Sequence, residues 1–406
     1  MTTRRAFLAS TSGLALAGFG APGGAVARSL GPDALPAGAL GASELAALPG
    51  KVPLIKKTWR PPNFETPIAS LREAFTPNDA FFVRYHIAGV PGVDARAWRL
   101  EVGGDALDRP QTFTLAQLRS EFEPVEIAAV CQCSGNRRGL FDPHVPGVQW
   151  GYGAMGNARW KGARLREVLA RAGVTRGAVE IVVDGADGAV LEATPDFVKS
   201  IPAWKAMDEN TLLAYEMNGE PLPHWNGFPV RLVVPGWTAT YWMKHLTSIR
   251  ASSTPFEGFW MAKAYRIPKG VFPTVDRFLS QEAEASTPIT EMVVNSLILA
   301  PGDADRFRAG QTVEMSGIAW DAGAGIVSVD ISVDGGRSWR AAELGPDLGR
   351  FAWRQWRHLI PSLRTGTHTF VARATNRQGM SQTQALVANP AGYHHNVLHR
   401  VTVQAG

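Results

Sequence analysis

The sequence predicts two domains, an α+β domain over residues 55–277 and an immunoglobulin-like β-sandwich over residues 278–406. Two observations support this division. The first part combines strand-like runs with two short helical patterns, whereas the second contains strand-like runs separated by turns and no convincing helix. The 42 glycines and 28 prolines supply the many turns that a sheet-rich architecture requires. A chain of 406 residues is also long enough for two domains with substantial cores.

The N-terminal segment has the three parts of a twin-arginine export signal. Arg4-Arg5 precedes a modest apolar stretch, and Ala25-Val26-Ala27 offers a cleavage site between small residues. We therefore expect a signal peptide over residues 1–27 and export of the folded chain to the periplasm. Residues 28–54 are rich in Ala, Gly and Pro and are expected to form a flexible arm. No other apolar run approaches the ~20 residues that span a bilayer, so we expect no membrane span.

The first ordered strand is expected at Ala80–His86. Alternation places Phe82, Arg84 and His86 on one face, and an Arg and a His beside an aromatic ring are typical of a polar pocket. A solvated edge strand would show the same pattern, so both interpretations stay open. The remaining elements of this domain are expected, in chain order, as a strand at Trp98–Val102, a helix at Leu115–Phe122 capped by Thr114, a strand at Val125–Val130, a Gly-, Pro- and Trp-rich loop at Gly139–Gly156, a helix at Leu165–Ala172, and strands at Val179–Val183, Leu212–Glu216, Pro229–Val234 and His245–Arg250.

The character of the chain changes after about Arg277. Short strand-like runs at regular spacing, joined by turns such as Asp334-Gly335-Gly336, are typical of a β-sandwich. The expected strands lie at Thr290–Leu299, Thr312–Trp320, Val327–Val333, Phe351–Ile360, Thr367–Ala374 and Val397–Val403.

Both cysteines of the protein lie in the stretch Cys131–Arg138. A predicted strand leads into this stretch, and Gly135-Asn136 then favours a turn, so a thiol is presented at a strand end. Arg137 and Arg138 follow closely, and their charge favours the thiolate over the thiol. A thiolate is a nucleophile or a ligand for a soft metal, and the residues alone leave both roles open.

The cysteine spacing argues against three common roles. A Cys-x-Cys disulfide would close a very tight ring, so a structural disulfide is not expected. No further Cys or His lies near enough in sequence for a zinc site. The sequence has no Cys-x-x-Cys-His motif, so we expect no attached c-type haem.

The net charge restricts the class of partner. A formal charge of +5 suits a small anionic substrate or an acidic protein, and no basic run indicates nucleic-acid binding.

Taken together, these segments resemble the sulfite oxidase family of mononuclear molybdenum enzymes, over roughly residues 55 to 404. The most specific segment is Cys133-Ser134-Gly135-Asn136-Arg137-Arg138, which resembles the family pattern Cys-(Ala/Ser)-Gly-Asn-x-Arg. Supporting segments are Phe82–His86, Ala158–Gly162, Leu213–Gly219, Gly227–Arg231, Val234–Gly236, Phe259–Tyr265, Val333–Gly336 with Trp339, and Gly392-Tyr393 with Asn396. The resemblance implies a molybdopterin-binding domain of the sulfite oxidase fold followed by a dimerisation domain.

The resemblance also implies a molybdenum cofactor whose metal is bound by the Cys133 thiolate and by the dithiolene of a pterin. A soft thiolate suits such a metal, and a single protein ligand suits a metal that arrives with its cofactor. Cys131 has no counterpart in the family pattern and is expected to be silent. Asn226 stands where the animal enzymes have a His. By family position, the cofactor contacts are Phe82, Arg84, His86, Asp187, Asn226, Arg231, Trp242, Met243 and Lys244.

By the same resemblance, the expected substrate is sulfite, which is oxidised to sulfate. Arg84 and Arg138 would hold the oxyanion, because planar guanidinium groups bind such oxygens in pairs. Tyr265 would assist proton movement, and Trp150 would form a wall of the pocket. The animal enzymes place a further Arg where this sequence has Ala391, so we expect less positive charge around the anion.

The resemblance implies a homodimer, and the expected electron acceptor is a separate c-type cytochrome, since this chain carries no haem motif. Two related molybdenum enzymes are alternatives. A reductase of protein methionine sulfoxide lacks the second domain, and the predicted sandwich argues against it. A sulfane dehydrogenase subunit, which acts on carrier-bound sulfur, has both domains and is not separated by sequence. A secreted immunoglobulin-like binding protein with an incidental cysteine pair is the alternative outside the enzymes.

Overall fold

The computed structural model describes residues 28–29, 45–272 and 278–406. The predicted signal peptide, most of the predicted arm and the last residues before the predicted domain boundary lie outside the described residues. Among those described, no helix is long and apolar enough to cross a membrane.

The first domain is built from many short strands and four short helices within the described residues. Its helices are α1 (Leu115–Ser120), α2 (Leu165–Arg171), α3 (Ala203–Ala206) and α4 (Phe259–Ala262). Its strands are β1 (Arg28–Ser29), β2 (Leu45–Ala46), β3 (Leu54–Thr58), β4 (Asn63–Glu65), β5 (Val83–Arg84), β6 (Leu100–Gly103), β7 (Gln111–Phe113), β8 (Pro124–Gln132), β9 (Phe141–Asp142), β10 (Met155–Arg164), β11 (Glu180–Gly185), β12 (Lys199–Pro202), β13 (Leu212–Met217), β14 (Glu220–Pro221), β15 (Arg231–Val233), β16 (Leu246–Ser252) and β17 (Arg266–Pro268).

Three sheets of this domain position the cysteine stretch and its surroundings. One has the order β14-β13-β10-β8 with β15 also on β13, another has the order β12-β11-β16-β6-β7, and a third has the order β2-β3-β4-β5. One continuous core of buried side chains packs between the first two sheets and the helices. Helix α1 begins as expected, because Thr114 and Gln117 form a reciprocal capping box.

Strand β10 is the main element that the sequence analysis missed. It pairs antiparallel with β8 along nine residue pairs, from Pro124↔Ala163 to Gln132↔Met155. The glycines of β10 lower its predicted strand propensity, yet two of them are needed because neighbouring residues pack closely against their backbone. A Cβ at Gly162 would lie 2.0 Å from the carbonyl oxygen of Leu213, and one at Gly156 would lie 2.4 Å from the Phe81 ring.

The predicted strand at Ala80–His86 is shorter in the structure, where only Val83–Arg84 is a strand. Both faces of this segment are buried, with Phe82 at 5% and Tyr85 at 0% exposure. β5 is the edge strand of the sheet β2-β3-β4-β5, but the side chains on its two faces are buried, so the possibility of a solvated edge strand is wrong. Tyr85 packs in a core with Leu54 and Phe64 of the same sheet, whereas Phe82 packs in the main core of the domain.

Residues 45–54 also differ from the flexible arm that we expected. Strand β2 pairs with β3, and the Leu48 and Leu54 side chains are buried. Lys51 is buried as well, and its Nζ donates to the carbonyl oxygens of Asn78 (2.6 Å) and Phe81 (3.0 Å). This part of the predicted arm is corrected, because its apolar side chains have a core to enter.

The second domain is a two-sheet sandwich. One sheet has the order β19 (Asn295–Ala300), β21 (Val313–Trp320), β25 (Arg354–Ile360) and β24 (Glu343–Leu344). The other has the order β20 (Arg306–Phe307), β27 (His399–Ala405), β26 (Gly366–Asn376), β22 (Ile326–Ser332) and β23 (Arg340–Ala341). Side chains from both, including Met315, Trp356, Val329 and Phe370, pack in one shared core. The finer description as immunoglobulin-like stays a prediction. Strand β18 (Ser286–Pro288) precedes the sandwich and pairs antiparallel with β17.

Buried polar contacts join the two domains beside the cysteines. Arg137 is 1% exposed, and its guanidinium donates to Asn295 Oδ1 (2.6 Å) and to the Ser296 carbonyl (2.8 Å). The same guanidinium lies 5.1 Å from the ring centroid of Tyr152. Because a buried charge without partners is costly, these contacts fix the position of the cysteine stretch against β19.

We predict that Arg137→Met will lower the free energy of unfolding by about 3 kcal/mol, because it removes two buried hydrogen bonds from a charged donor and the contact of the guanidinium with the Tyr152 ring. Urea denaturation followed by tryptophan fluorescence measures this change. The matched control is Arg159→Met at an exposed site over Phe75, which should shift stability by less than about 0.5 kcal/mol. Equal shifts in the two variants would contradict the role of Arg137.

Candidate functional site

A pocket opens where β8 ends. Residues of β5, of β15 and of the segment just before β17 line its walls. It brings together most of the residues predicted for the site. Those that line it are Phe82, Arg84, His86, Cys133, Asn226, Arg231, Trp242, Lys244 and Tyr265, together with Phe81, Cys131, Ser134, Phe197, Trp225, Ala239 and Thr240.

Backbone hydrogen bonds hold Cys133 just beyond the end of β8. Its N–H donates to the Ala154 carbonyl (2.9 Å), and its carbonyl accepts from the Asn136 N–H (2.9 Å). The Asn136 side chain closes the turn, because Oδ1 accepts from the Ala154 N–H (3.0 Å). Arg137 then takes a left-handed conformation with φ of 68°. The thiol of Cys133 is thereby presented to the pocket by a fixed turn, with 7% of the residue exposed.

Arg84, His86 and Tyr265 form one hydrogen-bonded group in the pocket wall. The Arg84 guanidinium donates to Asn63 Oδ1 (3.2 Å) and to the Tyr85 carbonyl. His86 Nε2 is hydrogen-bonded to the Tyr265 hydroxyl, and its ring stacks on Phe197 with centroids 3.6 Å apart. These contacts fix the orientations of both rings.

The electrostatics of this group favour neutral forms of His86 and Tyr265. Burial lowers the pKa of His86 well below its ordinary value, and the charges of Arg84, Lys244 and Lys199 lower it further. Burial also raises the pKa of Tyr265, while Arg84 opposes this effect. A neutral imidazole can accept a hydrogen bond from the Tyr265 hydroxyl, so the proton of this phenol has a fixed position in the pocket wall.

The opposite end of the pocket is cationic. Arg231 is 4% exposed, lies 5.0 Å from the Trp160 ring centroid, and donates to the carbonyls of Asn226 (3.0 Å) and Trp242 (3.2 Å). Lys244 Nζ lies 4.2 Å from the Tyr85 ring centroid. Burial lowers the pKa of Lys244 to about 8, against the charge of Asp187. Two such cations suit a phosphate group, which they bind by charge-assisted hydrogen bonds.

Lys51 holds Asn226 in place at the cationic end of the pocket. Its Nζ donates to Asn226 Oδ1 (2.7 Å), and Asn226 Nδ2 donates to the Phe82 carbonyl (3.2 Å). The orientation of Asn226 is therefore fixed by Lys51. No local sequence signal predicts this contact, since the two residues are 175 positions apart.

Several buried polar atoms in the pocket residues have no hydrogen-bond partner within the described parts of the chain. They are Ser134 Oγ, Thr240 Oγ1, Arg231 Nε and His86 Nδ1. Buried polar atoms are normally satisfied, so these four indicate a polar ligand. No group of three or more His, Cys, Asp or Glu side chains that could hold a metal occurs among the described residues. The unpartnered polar atoms and the cationic end of the pocket together fit a polar, anionic cofactor.

Arg138, a predicted substrate contact, is packed beside the pocket and does not line it. Its Nε donates to the Ala391 carbonyl (3.0 Å) and its Nη1 to the Val148 carbonyl (3.3 Å). A Cβ at Gly392, which has a φ of 62°, would lie 2.8 Å from Arg138 Cγ. The glycine thus makes room for the arginine. Its role toward the substrate stays a prediction.

Three other predicted site residues also lie outside the lining. Trp150 is fully buried, and its Nε1 has no partner within the described residues. Asp187 is 5% exposed, and burial raises the pKa of its carboxyl group while Lys244 opposes this. Met243 is 1% exposed. None of the three lines the pocket, and their assigned contacts stay predictions.

Cys131 lines the pocket, although we expected no role for it. Its Sγ lies 3.9 Å from Arg231 Nη2, and burial raises the pKa of its thiol to about 11. The thiol is therefore protonated at neutral pH, which agrees with a silent residue. The alternation of side chains along a strand, which puts residues two apart on one face, could have placed it beside Cys133.

Lys199, at the start of β12, is a buried charge that the sequence analysis missed. Its Nζ donates to the Trp260 carbonyl (2.6 Å) and lies 5.0 Å from the Tyr265 ring centroid. Burial, and then the charge of Arg266, lower the pKa of Lys199 well below its ordinary value. Among the described residues no carboxylate forms an ion pair with it. The lysine supports the ring of Tyr265 at a cost in stability.

We predict that Lys199→Met will be more stable than wild type at pH 6.5, by about 1 kcal/mol or more, because an apolar side chain replaces a buried charge. The pKa of Lys199 is lower in the folded than in the unfolded state. The cost of its charge is thus fully present at low pH and is lost as the pH rises toward the unfolded pKa. Urea denaturation at pH 6.5, 8 and 9.5 should show the advantage of the variant shrinking with pH.

The matched control is Lys161→Met, at a partly exposed site where the lysine pairs with Glu216 (3.3 Å). Its stability relative to wild type should not show this narrowing with pH. A constant difference between Lys199→Met and wild type over the same range would contradict the prediction.

Comparison with known proteins assigns both domains. Residues 87–260 match the family model of the oxidoreductase molybdopterin binding domain, and residues 286–406 match that of the Mo-co oxidoreductase dimerisation domain. A molybdopterin-binding domain contradicts the alternative of a secreted binding protein. The match over the second domain supports our argument against the methionine sulfoxide reductase.

Individual relatives agree with this assignment. Mitochondrial sulfite oxidase of Homo sapiens is 36% identical over 326 residues, covering 77% of this chain and 58% of that protein. Sulfite oxidase of Gallus gallus is 36% identical over 349 residues, covering 82% of this chain and 73% of that protein. This chain thus spans less than two thirds of the length of the human relative. The crystal structure of the sulfane dehydrogenase SoxCD from Paracoccus pantotrophus matches with a TM-score of 0.74 and 26% identity, over 87% of both chains. The chain therefore belongs to the sulfite oxidase family of molybdenum enzymes.

Proposed function

We propose that this chain oxidises sulfite to sulfate at a molybdenum–pterin cofactor. The observation that carries the proposal is the position of Cys133 in a pocket that also contains Arg84 and Tyr265. A thiolate ligand for a soft metal, a guanidinium for an oxyanion and a phenol for a proton are the parts that the reaction needs. The 36% identity to animal sulfite oxidases supports the choice of sulfite.

The residues that would hold the cofactor divide by chemistry. Cys133 would bind the metal, and Arg231 and Lys244 would bind the phosphate. Ser134 and Thr240 have buried hydroxyl oxygens that would meet the polar edge of the pterin. When bound, the cofactor supplies the two-electron oxidation of sulfur and the oxygen transfer.

The side chains around Cys133 have separate roles toward the substrate. Arg84 holds an oxygen of the oxyanion, because its guanidinium lines the pocket and is fixed by Asn63. Tyr265 holds a proton at its hydroxyl, and the neutral His86 accepts from or donates to it. The rings of Phe197 and Trp260 pack around His86 and exclude water from this pair.

The proposal also includes the location of the chain, its oligomeric state and its electron acceptor. We assign it to the periplasm because of the twin-arginine pattern at Arg4-Arg5, and to a homodimer because of the dimerisation-domain match. The proposed electron acceptor is a separate c-type cytochrome.

A second candidate is oxidation of carrier-bound sulfane sulfur. The observation in its favour is the likeness of fold to the sulfane dehydrogenase SoxCD, with a TM-score of 0.74 over 87% of both chains. Both candidates use the same pocket, and they differ in whether the sulfur arrives free or on a carrier.

We predict that purified holoenzyme will oxidise free sulfite with ferricyanide or a c-type cytochrome as acceptor and without any carrier protein. Enzyme from a pterin-competent host should be assayed with sulfite and, separately, with a peptide carrying a cysteine persulfide. Turnover of only the persulfide would favour the second candidate. Sulfite-dependent reduction of oxygen, with none of the cytochrome or ferricyanide, would contradict the proposed acceptor.

We predict that Cys133→Ser will retain its fold but lose molybdenum and more than about 99% of sulfite turnover, because a serine hydroxyl is a poor ligand for a soft metal. Metal analysis and steady-state assays measure the two losses, and circular dichroism checks the fold. The control is Cys131→Ser, which alters the neighbouring thiol in the same pocket and should keep both metal and activity. Retained turnover in Cys133→Ser would refute the ligand role.

A further inference from the structure

The second domain places a tyrosine against the group that contains Tyr265. Tyr393 lies on a segment held by Asn389, whose Oδ1 accepts from the Tyr393 N–H (3.0 Å) and whose Nδ2 donates to the Tyr393 carbonyl (2.9 Å). Asn389 is itself 5% exposed and Tyr393 is 7% exposed. The position of this ring is thus fixed by a buried pair of hydrogen bonds.

The ring of Tyr393 contacts both the Tyr265 ring and the Arg138 guanidinium. It lies parallel to the Tyr265 ring, with centroids 5.7 Å apart and an interplanar angle of 5°. The Arg138 guanidinium carbon lies 5.1 Å from the Tyr393 ring centroid. Tyr393 therefore sits between a substrate-binding candidate and the proton-holding tyrosine.

Charged groups of the site affect the pKa of the Tyr393 hydroxyl. Burial raises the pKa of Tyr393, Tyr265 and Cys133 raise it further, and Arg138 and Arg84 oppose this. The phenol therefore stays protonated at neutral pH and can donate a hydrogen bond. An oxyanion bound beside Arg84 and Tyr265 in the pocket would lie near this donor.

The Tyr393 hydroxyl makes no hydrogen bond with the described parts of the chain, and the residue is 7% exposed. The neighbouring Tyr265 hydroxyl is bonded to His86, and Arg138 is bonded to two carbonyls. Stacking alone would be served by a phenylalanine, which has no polar atom to satisfy. A hydroxyl that no described group binds, on a ring stacked against Tyr265, is available to donate to a ligand of the pocket.

We propose that the Tyr393 hydroxyl donates a hydrogen bond to an oxygen of the bound sulfur oxyanion, so that the second domain contributes a substrate-binding residue. This inference rests on the proposed function, since it takes sulfite and sulfate as the anions of the site.

The test is Tyr393→Phe, which removes one oxygen and keeps the stacked ring. A donor that binds substrate and transition state equally should change KM and leave kcat within about two-fold. We expect KM for sulfite, with ferricyanide as acceptor, to rise about ten-fold or more, as for a lost hydrogen bond to a charged group. We expect the Kd of sulfate, measured by calorimetry on the holoenzyme, to rise by a similar factor.

The matched control is Tyr215→Phe, at a buried tyrosine on β13 whose ring faces Arg119, and it should leave both constants unchanged. Molybdenum content and the urea midpoint of each variant exclude a general loss of fold or cofactor. Unchanged KM and sulfate affinity in Tyr393→Phe would overturn the inference, and so would a wild-type holoenzyme that does not bind sulfate.

Failure of the proposed function gives a different pattern. A wild-type holoenzyme that binds sulfate but does not oxidise sulfite would overturn the proposed substrate. In that case a weaker affinity for sulfate in Tyr393→Phe would still support the inference.

Discussion

The antiparallel pairing of β8 with β10 determines where the thiol of Cys133 lies. Nine residue pairs bring the end of β8 to Gln132, and the hydrogen bond from the Cys133 N–H to Ala154 continues the pairing by one residue. The turn through Asn136 and the left-handed Arg137 then lead the chain away from the sheet. A register change of one residue would turn every side chain of β8 to the opposite face and remove the thiol from the pocket.

Buried positive charge is the second constraint on this fold. Arg231 and Lys199 are buried, Lys244 is partly buried, and burial lowers the pKa of each. Burial of unpaired charge is unfavourable, so these residues reduce the stability of the protein without its cofactor. An anionic cofactor that binds only the folded chain offsets this cost at Arg231 and Lys244, because ligand binding adds to the free energy of unfolding. Lys199 lies behind Tyr265 and gains less from such a ligand, since its ammonium is bonded to a backbone carbonyl.

The sequence was sufficient for the features that depend on local pattern. The cysteine turn, the cap at Thr114 and the strands of the sandwich follow from short-range signals, and the structure places them close to the predicted positions. Strand β10 was missed because Gly156 and Gly162 serve packing against distant residues and lower the strand propensity.

The roles of Lys51 and Lys199 could not be predicted for a related reason. Each contact joins residues far apart in sequence, and a lysine is expected at the surface unless its partners are known. Motif matching identified Arg138 as a site residue, but only the packing of Gly392 and Ala391 reveals that this arginine is shared between domains.

Contacts across the domain boundary make the second domain part of the site. Arg137 is bonded to Asn295 and Ser296, Arg138 is bonded to Ala391, and Tyr393 stacks on Tyr265. Each contact fixes a residue within a few positions of Cys133 or in the pocket wall. A small displacement of the sandwich would therefore move Arg138 and the Tyr265 ring together, because packed interiors transmit strain instead of absorbing it. The geometry around the substrate thus depends on the position of the second domain, whatever further role that domain has in pairing two chains.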